Sequence, residues 1–416
     1  MTGQTPGARE EHHDVIVIGA GAAGIAIARG LQKRSARLDI AIVDPASQHY
    51  YQPGWTLVGG GVFDADTTRR PMQKVLPDGV THYAQAAAAI DPEAGVVRSG
   101  DGRLLHYRAL VVAPGLELHW EGIDGLTATL GECGVTSNYR FDLAPYTWSL
   151  VQNLRQGRAL FTQPAMPIKC AGAPQKAMYL ACDYWRRQGV LDSINVQFHN
   201  TGGALFGVSD YLPALMAHVE RYGIGLEFHQ QLVAVDGPGR QAHFLVQNAD
   251  GRQHEHVESF DMLHVVPPQR APALIRDSRL ANDAGWLDLH HNTLQHRRYP
   301  AIFGAGDVSA TPNAKTAAAV RVQAPVVADN VMAYLNGEAL SPRYQGYGAC
   351  PLTVANGRVV LAEFGYGGEL MPTLPGWLND GERATGLAWQ LKVHLMPFIY
   401  WQMMLKGREW MVSRGA

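Results

Sequence analysis

The first 45 residues change from one hydrophobic pattern to another and back. Residues 14–18 (Asp-Val-Ile-Val-Ile) form a short apolar run of the kind found in a strand buried on both faces, and residues 22–32 carry the apolar spacing of a helix. A second apolar run at 38–43 follows, so the chain opens on a β-α-β unit with a glycine-rich turn after its first strand. A similar strand-then-turn pattern recurs at 109–115 and at 262–268, each suited to close one such module. Between them, residues 159–162 and 194–198 read as strands, with 174–187 as the helix that joins them. The pattern predicts an α/β fold of two Rossmann-like dinucleotide-binding domains. Residues 1–120 and 262–336 are expected to form the first domain in two parts, 121–261 the second, and 337–416 a C-terminal region.

That last region has its own pattern. Trp389, Val393 and Met396 keep helical spacing, and Pro397 is expected to break or kink the helix before Phe398, Ile399, Tyr400, Trp401, Met403, Met404 and Leu405. Lys392, Lys406 and Arg408 flank this surface, and the aromatic segment reaches Trp410. Apolar aromatic surface bordered by bases predicts an amphipathic segment lying in a membrane interface, with a dimer or core-packing surface as the alternative. The uncharged run 393–405 falls short of the roughly 18 to 20 residues that span a bilayer.

Composition narrows the class. With 46% hydrophobic and 17% charged residues, the 416-residue chain can bury real cores. Its formal charge of −2 gives no basic surplus for a nucleic-acid partner. Residues 1–14 carry no apolar stretch of signal-peptide length, which sets the expectation of a cytoplasmic location. The four cysteines (133, 170, 182 and 350) have neither disulfide-scaffold nor zinc-site spacing, so no metal site is expected from them.

The chemistry concentrates in the turns. Gly19, Gly21 and Gly24 have G-x-G-x-x-G spacing between strand and helix, and Asp44 ends the next strand 20 residues beyond Gly24. This is the dinucleotide fingerprint: a tight turn, close approach of backbone to a pyrophosphate, tight helix–strand packing and an acid for a ribose hydroxyl. Residues 299–307 end in Gly304, Gly306 and Asp307, a segment of the kind that meets a ribityl chain in two-dinucleotide flavoproteins. Together the two favour FAD at the first site. The matching turn of the second module, 164–174, keeps only Gly172 among several prolines, so no cradle for NAD(P)H is expected.

Cys170 lies in that turn, after Lys169 and near a predicted helix N-terminus, which favours its thiolate. Cys350, in Tyr347-Gly-Ala-Cys350-Pro, reads as an exposed turn thiol. The two can meet only through tertiary folding, and two unrelated buried thiols are the alternative. Cys182 reads as a core residue, and Cys133 as a loop thiol with no assigned role.

Several strings resemble the sulfide:quinone oxidoreductases, in particular the branch with the mitochondrial enzyme and its bacterial relatives. They are His49-Tyr-Tyr-Gln-Pro-Gly-Trp-Thr-Leu-Val58, Pro167-Ile-Lys-Cys-Ala-Gly-Ala-Pro-Gln-Lys176, Thr293-Leu-Gln-His-Arg-Arg-Tyr-Pro300, Lys315-Thr-Ala-Ala-Ala-Val320, Leu361-Ala-Glu-Phe364 and Leu395-Met-Pro-Phe-Ile-Tyr-Trp401. The resemblance covers nearly the whole chain. It implies a flavoprotein at a membrane surface that oxidises hydrogen sulfide and reduces a membrane quinone; the absence of a signal-peptide stretch in residues 1–14 sets the cytoplasmic face of a bacterial inner membrane as the expected side. It implies Cys170 and Cys350 as the redox pair, with hydrosulfide attacking a sulfur bridge at Cys350 and leaving a persulfide there. Cyanide, sulfite, glutathione or a growing polysulfide would take the sulfur. It further implies Pro53, Gly115 and Lys315, with the glycines and acids above, around FAD. Phe364, Phe398, Tyr400 and Trp401 fall on the quinone and membrane side, and Tyr50 and Tyr51 beside the flavin. Lys169 and Lys315 are the candidates for holding negative charge. A type II NADH:quinone dehydrogenase, a non-turnover sulfide sensor and a soluble sulfide:cytochrome enzyme are the rival readings; the missing second fingerprint speaks against the first.

Overall fold

The computed structural model describes residues 9–341, 343–376 and 381–409, so Trp410 lies outside the described residues. The chain begins with β1 (Glu10–Ile18), α1 (Ala22–Arg34) and β2 (Ile40–Val43). β1 runs parallel to β2 and, along its whole length, to β3 (Leu104–Val112), from Glu10 opposite Leu104 to Ile18 opposite Val112. The strand starts four residues before the apolar run because its polar first half still pairs its backbone with Leu104–Tyr107. α1 runs two residues past its apolar pattern. Lys33 and Arg34 there complement the negative end of the helix, and Arg34 pairs with Asp329.

The second module contains β4 (Gly157–Gln163), α2 (Ala173–Arg187), β5 (Ile194–Asn200) and β6 (Met262–His264). β4 is parallel to both β5 and β6. β6 also pairs with Val135–Thr136, so it is a strand of the second sheet. The expected boundary at 261/262 therefore cuts that strand from its own sheet, and the return to the first module comes after His264. The chain passes to the second module after β3 and returns after β6. At the crossings, Glu117–Leu118 pairs antiparallel with Gln269–Arg270.

After the return, β7 (Ile302–Gly304) adds to β3 in parallel, and α3 (Ala317–Asn336) packs beside α1, where Gly30 leaves room for Ala328. A hairpin of β8 (Gly348–Ala355) and β9 (Arg358–Phe364) then crosses to the second module, where Cys350, Leu352 and Val354 share a core with Ala177, Met178 and Ala181 of α2.

The C-terminal segment departs from expectation in three ways. It stays helical from Gly386 to Lys406, with wide π turns at Leu391–Leu395 and Ile399–Met403 on either side of Pro397. Proline has no N–H to give, and loosened turns accommodate it without a break. Secondly, Tyr400, Trp401, Met404 and Leu405 are buried in the first module's core, and Arg70 lies over the Trp401 ring at 4.0 Å. Much of the expected membrane face is thus a core face. Thirdly, Phe364 is half-buried edge-on against Phe206, outside the wall of the central cavity described below. Phe398 alone of the four quinone-side candidates is exposed, at 55%. No helix among the described residues is long and apolar enough to cross a membrane.

Tyr400 is anchored by His49, whose Nε2 accepts the phenol at 2.7 Å while its Nδ1–H donates to the Ala20 carbonyl at 3.1 Å. Burial pushes the His49 imidazole down to about 4, so it stays neutral at ordinary pH. Tyr400→Phe is expected to cost about 1–2 kcal/mol, the price of leaving a buried nitrogen unpaired. Chemical denaturation of the two proteins checks this.

Candidate active site

Both modules and the C-terminal segment meet around one cavity of about 580 Å³. The first wall is the turn after β1. Gly19 sits at φ +98°, and a Cβ there would collide with the Ala113 carbonyl; a Cβ on Gly24 would strike the Gly19 carbonyl. These two glycines bring α1 against the strand, and only Gly21, whose Cβ would meet nothing within 4 Å, opens onto free space. The first turn of α1 has no side-chain cap, so its N–H groups face the cavity, a ready anion seat. Asp44 pins the turn: its oxygens accept from Ala20 N at 2.6 Å and Ala46 N at 2.7 Å, and its carboxylate still lines the cavity.

The facing wall is the β7–α3 turn. Gly306 (φ +78°) donates its N–H to Gln323 at 2.8 Å, and burial raises the Asp307 carboxyl. Thr316 caps α3 by accepting from Ala319 N, which leaves the N–H groups of Ala317 and Ala318 at the cavity wall. Gly115 (φ +77°) completes this side. Two long helices thus aim their positive ends into one space. Asn138, buried with neither amide atom paired, and the unpaired Thr56 hydroxyl also line it. Buried polar atoms rarely go unpaired without a ligand, and these residues fit a dinucleotide carrying an anionic pyrophosphate.

Cys170 lies on the third wall, with Cys350 behind it. The Cys170 backbone is held by its N–H to the Lys315 carbonyl at 2.8 Å, and the Tyr139 hydroxyl donates to the Lys169 carbonyl at 3.0 Å. Its φ of +47° is unusual for a residue other than glycine and turns the side chain toward the cavity. Cys350 is not on an exposed turn: it lies in β8, only 3% exposed, with its thiol within hydrogen-bonding reach of Cys170. Proline 351 is tolerated because the hairpin has two strands and each leaves one edge unpaired.

The pair is electrically asymmetric. The Cys350 hydrogen bond and the ammoniums of Lys176 and Lys392 hold Cys170 well below the usual thiol range, whereas the neighbouring thiolate and burial push Cys350 well above it. Lys176 Nζ donates to Cys170 Sγ at 3.2 Å. Burial opposes the charge on Lys176, but the two sulfurs outweigh it and keep this lysine protonated. Lys392 is buried at 2% exposure, donates to the Pro53 carbonyl at 3.1 Å, and is pushed down to about 7 by burial and by Lys176. It therefore does not flank a membrane face as expected.

The lysines singled out from sequence both favour the charged form of Asp307 and make bonds of their own. Lys169 reaches Gln52 at 2.6 Å, and Lys315 donates to the Asp307 and Ser309 carbonyls at 2.7 Å each, bracing the β7–α3 turn. Burial pushes Lys315 down to about 8. Sequence reasoning missed Lys176 and Asn138. Lys176 stands six residues after Cys170, near the start of α2, where helical side chains lean back toward the N-terminus; that geometry was the available signal. Cys182 is fully buried, and burial raises its thiol. Cys133 is half-buried, at φ +50°.

The equivalent nucleotide seat of the second module is filled. A Cβ on Gly172, at the start of α2, would strike Cys350 Sγ and the Leu352 side chain, so β8 occupies the space before that helix. No pyrophosphate can sit there without displacing the hairpin.

The sequence profile of the pyridine nucleotide-disulphide oxidoreductase family matches residues 13–168. The mitochondrial sulfide:quinone oxidoreductase of Mus musculus is 37% identical over 398 residues, 96% of this chain and 87% of that protein. The mitochondrial sulfide:quinone oxidoreductase of Dictyostelium discoideum is 37% identical over 397 residues, 95% of this chain and 86% of its own. Among solved structures, the sulfide:quinone oxidoreductase of Aquifex aeolicus superposes with a TM-score of 0.77 at 18% identity, covering 95% of this chain and 92% of that one. The chain belongs to the sulfide:quinone oxidoreductase family.

Proposed function

We propose that this chain oxidises hydrogen sulfide through Cys170 and Cys350 and passes two electrons by way of bound FAD to a quinone. The observation that carries the reading is the Cys170 thiol at the cavity wall, with Lys176 Nζ at 3.2 Å and Cys350 behind it. Gly19, Gly21, Gly24 and Asp44 would hold the pyrophosphate and ribose of FAD. Gly115, Gly306, Asp307 and Lys315, with the first turn of α3, would hold its flavin half, and Pro53 would lie at its edge. When bound, the flavin supplies a two-electron acceptor beside Cys170 that quinone can discharge.

The protein residues do the sulfur chemistry. Hydrosulfide attacks the Cys350 sulfur of an oxidised Cys170–Cys350 bridge; the S–S bond breaks, Cys350 keeps the new sulfur as a persulfide, and Cys170 leaves as thiolate. The lower-pKa sulfur is the better leaving group, which fits the asymmetry produced by Lys176 and Lys392. A small nucleophile such as sulfite, cyanide, glutathione or polysulfide then takes the outer sulfur from Cys350. Re-forming the bridge from the two thiolates releases two electrons, which reach quinone with two protons.

Peripheral attachment to a membrane surface would use the exposed Phe398 and Leu387 on the C-terminal helix. Phe398→Glu is expected to weaken binding to liposomes severalfold and leave activity with a water-soluble quinone unchanged; vesicle co-sedimentation checks it.

Steady-state quinone reduction, with sulfide and NADH as parallel donors, tests the function. Turnover with sulfide and none with NADH is expected. Turnover with NADH alone would move the protein to the dehydrogenase class, and the flavin released on denaturation should be FAD.

A further inference from the structure

A second cluster lies at the opposite end of β1 from the dinucleotide turn. Glu10 and His12 are two residues apart on β1 and so share a face, and His106 stands directly opposite His12 on the neighbouring β3. The two imidazoles stack at 4.4 Å between ring centres, tilted by 17°. Potential ligand atoms of all three side chains lie within 4.8 Å of one another. Neither imidazole hydrogen-bonds to another described residue, and His106 Nε2 is shielded from solvent, with Glu10 Oε2 at 3.6 Å. Glu11, on the other face, is already committed to Arg103 and Tyr83 and does not compete.

We propose that Glu10, His12 and His106 form a site for a divalent transition-metal ion of the Zn²⁺ class. Two imidazole nitrogens and a carboxylate oxygen suit such an ion, and small rotations of exposed side chains bring them to bonding distance, with water completing the shell. Strand register fixes two of the ligands before metal arrives, which lowers the cost of ordering them. The independent sign is the His106 Nε2 atom, shielded from solvent and without a hydrogen-bond partner among the described residues. The site clips β1 to β3 about 20 Å along the strand from Gly19, too far to touch the cysteine pair. Its role is to bind metal and stabilise the fold.

The test is calorimetric titration of Zn²⁺ into the untagged, metal-stripped flavoprotein and its His12→Gln and His106→Gln variants. Because thiols also bind zinc, the readout is the difference between proteins. Wild type is expected to bind one equivalent more than either variant, or to bind that equivalent at least about tenfold more tightly, since even losing an outer-shell partner of a metal ligand costs that much. Zn²⁺ should also raise the melting temperature of wild type more than that of the variants. His12 is exposed, so His12→Gln keeps the comparison valid if His106→Gln folds poorly. Identical stoichiometry, affinity and melting shift in wild type and His12→Gln would overturn the proposal.

Discussion

Cys170→Ser is expected to lower sulfide-dependent quinone reduction by on the order of 10³-fold or more, with flavin still bound. A serine hydroxyl cannot form a sulfur bridge with Cys350 and stays protonated beside Lys176. The substitution should leave the fold intact, because Cys170 is held through its backbone to Lys315 and its side chain faces the cavity. The long-wavelength absorption that a thiolate gives beside oxidised flavin should vanish with it. Cys350→Ser should lose turnover equally, because the persulfide has no seat. Cys182→Ser, fully buried in α2 and remote from the cavity wall, should keep turnover in whatever fraction folds. Near-normal activity in Cys170→Ser or Cys350→Ser would refute the pair.

The second large effect concerns charge. Lys176→Met removes a buried ammonium from beside the Cys170 sulfur and replaces it with a side chain of similar length. Thiolate is then less favoured, and the acid limb of the pH–rate profile should move to higher pH by about one to two units. At pH values on the acid side of both limbs this lowers the rate by roughly 10- to 100-fold, a deficit that recovers as pH rises. A packing defect would give a loss independent of pH, so the profile separates the two. The stability linkage has a matching sign. Cys170 has a depressed folded pKa, so its thiolate contributes stability above the unfolded thiol range, and that contribution fades as pH falls through the folded value. Lys176→Met should flatten this dependence, as melting curves at several pH values would read.

How much of this was legible beforehand follows from the range of the forces involved. The glycine fingerprint and Asp44 are local: one turn sets their spacing, and the structure has Asp44 bonded to the Ala20 and Ala46 amides of neighbouring turns. The absent second fingerprint was equally visible, but its cause was not. Only the packed hairpin reveals that Cys350 and Leu352 fill that seat. The Gly-Ala-Cys-Pro string suggested an exposed turn because glycine and proline are turn residues, yet a two-stranded hairpin has open edges that accept them.

The C-terminal segment misled for a related reason. Amphipathic spacing records that one face is apolar and says nothing about what covers it. His49, 351 residues away in sequence, meets Tyr400, and the first module's core receives Trp401. Lys392 looked like a flanking base and is instead buried against the Pro53 carbonyl. Likewise, Lys169 and Lys315 were conspicuous by their position next to motifs, while Lys176 gained its place from the helix that follows Cys170.

The central claim is that sulfide, acting through the cysteine pair, is the donor to the flavin. Anaerobic mixing of the detergent-stabilised flavoprotein with sulfide, followed by a short-chain quinone, with the flavin spectrum recorded throughout, tests it most directly. Rapid bleaching by sulfide and rapid return of the oxidised spectrum on adding quinone is the result predicted. A flavin that sulfide leaves oxidised while NADH bleaches it would contradict the account.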